Sequence, residues 1–190
     1  MRVTQFGEPV LKQAGKKVEV FDEALKKLSE DMFETMYAEE GIGLAAQQID
    51  KAIQMFVIDL CVREKDIDFS YTLDGRTPPL ELIMPMVMIN PEIETSGEEL
   101  PYEEGCLSFP GIRGNVIRPS VVRVKYQDIT GQSHDLECDG IFARVILHEN
   151  DHIEGTLFIE RMHPDVLRPL ESKLKKLKRK TRDFLKRRGG

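Results

Sequence analysis

The sequence predicts an α+β domain, with short antiparallel or mixed strands around a central apolar helix and a further helix at the C-terminal end. Three observations carry that expectation. Short β-branched or alternating segments recur between turn signals, one late segment has helical length with apolar content, and residues 166–190 combine a leucine stripe with dense positive charge. A chain of 190 residues is long enough for one domain with a substantial core.

Taken in order, a short stretch containing Pro9 leads to Phe21-Asp22-Glu23. From there to about Glu39, Leu25, Leu28, Met32, Met36 and Tyr37 recur at helical spacing, and Asp22 is placed to cap the helix. Gly41-Ile42-Gly43 breaks it. Met55 to Leu60 reads as a strand. Residues 61–86, with Asp74-Gly75 as a turn signal and Pro78-Pro79, read as a long loop excursion. Met86 to Asn90, Glu92 to Thr95 and Val121 to Gln127 read as strands, the last alternating Val122, Val124 and Tyr126 against Arg123 and Lys125. Ile141 to His152 reads as the central helix, ended by Gly155 in a left-handed position. A last helix is expected over 165–188, so that residues 1–165 form one catalytic domain and 166–190 a basic arm.

Composition narrows the function classes. Hydrophobic residues make up 41% and charged residues 32%, and no apolar run approaches the roughly 20 residues that span a bilayer. Met-Arg-Val-Thr-Gln lacks the apolar region of a secretory signal, so a cytoplasmic protein with no membrane partner is expected. Cys61, Cys106 and Cys138 make an odd count without framework spacing, which favours free thiols or a metal ligand over disulfides. The net charge of −6 divides unevenly: residues 166–190 hold 11 basic and 2 acidic side chains, and the other 165 hold 16 basic and 31 acidic. An acidic body with a basic arm points to a polyanionic partner for the arm alone.

The chemistry centres on Leu147-His148-Glu149-Asn150-Asp151-His152. On a helix, residues four apart lie about 40° apart around the axis, so His148 and His152 share a face and can reach one ion. Glu149 stands beside them, placed to handle protons rather than to bind metal. Two core histidines satisfied by backbone carbonyls are the alternative; the preceding apolar residues imply burial, and buried imidazoles need partners. A hydrolytic site usually takes a third protein ligand and leaves one position open. Downstream, the place of a third histidine is taken by Phe158, leaving Glu171 as a carboxylate at roughly the right distance. Upstream, Glu104-Gly105-Cys106-Leu107-Ser108 offers a thiolate, with Cys138 and Cys61 as rivals. Gly41-Ile42-Gly43-Leu44-Ala45-Ala46-Gln47-Gln48 suggests backbone packed tightly against something, or merely a helix–strand connection.

GIGLAAQQ at 41–48, EGCLS at 104–108 and HENDH at 148–152, in this order, resemble the three motifs of the peptide deformylases. The resemblance spans nearly the whole chain. It implies an enzyme that removes the formyl group from the N-terminal formylmethionine of nascent polypeptides. It implies that Cys106, His148 and His152 bind the metal, typically Fe(2+), with Zn(2+) or Ni(2+) able to occupy the site. Glu149 would move protons, while the Gln48 amide and the Leu107 backbone N–H would stabilise the developing oxyanion. Ile42, Ile141 and Val145 would form an apolar slot for the methionine side chain, and the peptide backbone would pair along Gly43 and the strand before Gly105. Glu104, Arg118 and Asp151 are read as an ionic network that orients the ligands. The family often has Gln where Leu147 stands, and the 61–86 excursion is longer than in compact members. For the bacterial members the basic C-terminal helix implies docking on the ribosome, through rRNA phosphates. A zinc endoprotease, or a non-catalytic ribosome- or RNA-binding protein with a structural metal recruiting Cys138 or His134, are the competing readings.

Overall fold

The structure is a computed structural model describing residues 1–61 and 69–188. Helix α1 (Glu23–Ala38) begins where Asp22 accepts the Leu25 N–H at 2.9 Å, so the expected cap forms. Strands β1 (Gly43–Ala45) and β2 (Met55–Ile58) follow, joined by a 3-10 turn at Ala46–Ile49. Then come β3 (Tyr71–Leu73), a single helical turn α2 (Leu80–Ile83), and the strands β4 (Met86–Gly105), β5 (Arg113–Gln127) and β6 (Ser133–Asp139). Helix α3 (Gly140–Ile153) carries the histidines, and α4 (Pro164–Leu167) and α5 (Glu171–Arg188) close the chain. The strands form one six-stranded sheet in the order β1-β2-β4-β5-β6-β3, and every pair is antiparallel.

The α+β class stands, with several elements redrawn. The strands around α3 are not all short. Residues 86–90 and 92–95, read separately, belong to one 20-residue strand bent at two register shifts. The first falls at Asn90-Pro91: Asn90 has φ 50°, and its side-chain amide exchanges two hydrogen bonds with the Val18 backbone, each 2.8 Å. Proline without an N–H suits such a bulge rather than a continuous ladder. Strand β5 begins at Arg113, eight residues before the alternation reads clearly, because Gly114 and Pro119 look like breakers in sequence. In β6 only Leu136 and Cys138 bury an apolar side chain, too weak a pattern to read locally. The excursion at 61–86 is not simply loop, because β3 pairs with β6 and Asp74-Gly75 turns with both residues at positive φ; residues 62–68 lie outside the described residues. The last helix is interrupted by a 3-10 turn containing Pro169, so the long basic helix starts at Glu171, not 165.

Two apolar layers sandwich the sheet. Alternation along β2 sends Phe56 and Ile58 toward α3, where Phe142 and Ile146 meet them, and sends Met55 and Val57 toward Met32 and Met36 of α1. Each such side chain contributes roughly 1.5–3 kcal/mol by leaving water. A third cluster around Phe109, Val116 and Phe158 includes Leu174 of α5, which docks the basic helix on the body. The result holds α3 against the sheet with its polar face toward the C-terminal end of β4.

Candidate metal centre

Helix α3 is buried over nearly its whole length, including His148, Glu149, Asp151 and His152. Its 3.6-residue period places both imidazoles on the face that meets the end of β4, where the chain leaves the sheet at Gly105 and turns through Cys106. Ligand atoms of Cys106, His148 and His152 all lie within 4.8 Å of one another. The Cys106 Sγ is 3.2 Å from His152 Nε2. His148 Nδ1 is bonded to Glu104 Oε2 at 2.9 Å, which leaves Nε2 as the nitrogen for an ion. Among the described residues this is the one such group of histidine, cysteine and acidic side chains. The rivals fall away: Cys138 faces the core, Cys61 is exposed on the surface, and Glu171 stands exposed at the start of α5.

The electrostatics suit a cation. Burial disfavours a charged His148, yet the Cys106 sulfur and the carboxylates of Glu104 and Glu149 push its pKa well above the ordinary value. The same groups that favour a proton on His148 would favour a metal cation in its place. Burial, reinforced by His148, keeps His152 neutral, the form that ligates. Burial also opposes ionisation of Glu104, but hydrogen bonds from His148 and Arg118 overcome it and bring its pKa down to about 2. Arg118 is gripped by Glu104 at 2.7 and 3.0 Å and by Asp151 at 2.7 Å, so the ionic network read from sequence does assemble. The soft thiolate and two imidazoles fit a late divalent transition metal, and the donor set does not choose among Fe, Zn and Ni.

Glu149 sits beside the ligands without taking part in the cluster. It is 4% exposed, its Oε2 has no hydrogen-bond partner within the chain, and burial raises its pKa to about 7. A carboxyl poised near neutrality can both accept and return a proton. Gly43 is needed here, since a Cβ at that position would lie 2.5 Å from Glu149 Oε1. The Gln48 Oε1 accepts the Ala45 N–H at 2.8 Å, which turns its NH2 toward Cys106 Sγ at 3.5 Å and Ser108 Oγ at 3.4 Å.

Cys106, His148, Glu149 and Gln48 open on one cleft of about 610 Å³, a size suited to a small ligand or peptide end. Its lining includes Ile42, Gly43, Gln48, Gly105, Cys106, Leu107, Ile141, Val145, His148 and Glu149, while His152 lies behind. Tyr102 and Arg144 also line it, and sequence reasoning passed over both. The signal for Arg144 was an arginine inside an otherwise apolar helical turn. Among the described residues, no helix is long and apolar enough to cross a membrane.

Residues 1–167 match the family model described as polypeptide deformylase. The chain is 48% identical to a peptide deformylase of Opitutus terrae over 184 residues, 96% of this chain and 95% of that one. It is 42% identical to a peptide deformylase of Cytophaga hutchinsonii over 173 residues, covering 90% and 87% respectively. A crystal structure of Arabidopsis thaliana peptide deformylase 1B, a G41Q mutant, superposes with a TM-score of 0.83 at 33% identity, covering 97% of this chain and 94% of that one. The endoprotease and structural-metal readings find no support among these relatives. With one sulfur, two imidazoles and a free carboxyl gathered beside a cleft on a fold of that shape, the chain belongs to the peptide deformylase family.

Proposed function

We propose that Cys106, His148 and His152 hold the divalent ion with which this chain carries out its family's reaction, removal of the formyl group from the N-terminal formylmethionine of nascent polypeptides. The observation that carries this reading is the unpartnered, neutral-range carboxyl of Glu149 beside a cluster of three ligand atoms at the wall of one cleft. When held by these three residues, the ion would supply Lewis acidity toward the formyl carbonyl and a water molecule. Glu149 takes a proton from the water as it attacks the formyl carbon, then returns it to the nitrogen as the C–N bond breaks, giving formate and a free amine. The Gln48 amide and the Leu107 N–H donate to the formyl oxygen as it gains charge, each such donor being worth roughly 10²–10³ in rate. Ile42, Ile141 and Val145 receive the unbranched methionine side chain, and the peptide backbone pairs along Gly43 and Gly105. Fe(2+) is the proposed resident ion, with Zn(2+) or Ni(2+) as substitutes.

Formate release from formyl-Met-Ala tests the assignment. Glu149→Ala is expected to keep its metal and lose roughly 10²–10⁴ in kcat; undiminished turnover would overturn it.

The catalytic unit is proposed to be residues 1–165, located in the cytoplasm, with 166–190 as an arm that meets rRNA phosphates. Within α5, Leu174 is buried while Lys173, Lys175, Lys176 and Lys180 are exposed, so the apolar stripe docks and the charge faces out. Truncation after Leu174 is expected to weaken ribosome binding in a salt-dependent way and to leave turnover of short formyl peptides intact. Unchanged sedimentation with ribosomes would reject the arm's role.

A further inference from the structure

Arg144 is a charged residue in the buried part of α3, 8% exposed, on the helical turn before His148. Burying a guanidinium is costly unless its donors are met. Here they are met by the sheet. One terminal nitrogen donates to the Leu100 carbonyl of β4 at 2.8 Å. The other donates to the Val116 carbonyl of β5 at 3.1 Å and to Glu104 Oε1 at 3.3 Å. The guanidinium also lies 5.7 Å from the centroid of the Tyr102 ring, on the cleft wall.

The placement of these acceptors matters more than their number. Leu100, Tyr102 and Glu104 alternate along the end of β4 that leads to Cys106, and beyond the bulge at Ser96/Glu99 this part of the strand pairs only with β5. The histidines come from α3 and the sulfur comes from the end of β4, so the ligand set exists only if helix and strand end keep a fixed spacing. Arg118 ties Glu104 to Asp151, and His148 is bonded to the same Glu104 directly, so both of these links meet the strand at one residue. Arg144 adds an attachment one turn earlier on the helix that reaches a different point of the strand, the Leu100 carbonyl, a backbone acceptor that no rotamer change can move.

We propose that Arg144 is a positioning residue that locks the end of β4 to helix α3, so that the cysteine-bearing strand and the histidine-bearing helix keep the spacing the ion requires. The inference rests on the reading of Cys106, His148 and His152 as the ligands. Lysine retains the charge but lacks the planar fork, and methionine lacks both.

Enzyme loaded with Ni(2+) is challenged with excess EDTA and the release of the ion is followed, alongside melting temperature. Arg144→Met is expected to release the ion about tenfold faster than wild type, and Arg144→Lys to fall between them. Met32→Ala, a core truncation in α1, serves as a control for lost stability and is expected to release the ion at the wild-type rate. Release indistinguishable from wild type in both Arg144 variants overturns the proposal, as does equally fast release from Met32→Ala. If Arg144→Met does not fold, Arg144→Lys alone decides. A Cys106→Ala variant that holds the ion as firmly as wild type would defeat the ligand assignment instead.

Discussion

Two histidines in this protein are bonded to carboxylates, and they do opposite work. His148 donates from Nδ1 to Glu104 at 2.9 Å inside the molecule, and its second nitrogen faces no carboxylate. His134, at the far edge of the sheet, has both nitrogens engaged, Nδ1 with Asp74 at 2.7 Å and Nε2 with Asp128 at 3.1 Å. The first arrangement leaves a lone pair for an ion, so it builds a ligand. The second demands a proton on each nitrogen, so it builds a cationic pin that holds the β3 turn and the β5–β6 turn together. A carboxylate beside a histidine therefore says little by itself; what the other nitrogen meets decides the chemistry.

The comparison breaks most sharply on substitution of the two rings. His148→Asn is expected to lose metal affinity by more than the roughly 10–100-fold that removal of an outer partner causes, and formate release with it. His134→Asn is expected to keep both, as metal analysis and formate assays on the two variants would show. The carboxylates come next. Glu104→Gln removes the charge from a group that orients His148 and neutralises Arg118 and Arg144, so it is expected to weaken metal binding roughly 10–100-fold and to cost roughly 3–5 kcal/mol of stability. Chelator competition and denaturant unfolding measure the two losses separately, and unchanged metal affinity would break the link from Glu104 to the ion.

The smallest effect is a pH dependence at the pin. Burial lowers the His134 pKa, but Asp74 and Asp128 outweigh it and raise it, so its contribution is full below about pH 6.5 and is lost as pH rises through the folded-state value. The pKa values of Asp74 and Asp128 are lowered, burial notwithstanding, by His134 and nearby donors, so their contribution is present above roughly pH 4 and is lost as pH falls through theirs. The pin is therefore strongest between those limits. Because Asp74 is half exposed, its worth is under about 1 kcal/mol. Denaturant midpoints at pH 6 and pH 9 are expected to differ more in wild type than in His134→Asn; equal differences would remove the pin.

Much of the site was legible because it is local. The His148 and His152 pair, the neighbouring Glu149 and the Asp22 cap depend on helical spacing within a few residues, and the structure keeps each of them. Strand β6 was not legible, because two buried side chains do not establish a period, and β3 owes its existence to pairing with β6 across more than 60 residues. The join of 86–90 to 92–105 through a bulge was hidden for a similar reason: Pro91 reads as an end unless the partner strand is known.

By itself the sequence determined which helix could present two imidazoles to one ion, and which residue beside them could carry protons, since both follow from the geometry of a single turn. Only the tertiary structure separated Cys106 from Cys61, Cys138 and Glu171 on physical grounds, and only it brought Arg144 into the account. The reason is one of range. A third ligand and its supports come from segments about 40 residues away, and their distance to the helix is set by sheet pairing and core packing, which no local periodicity records.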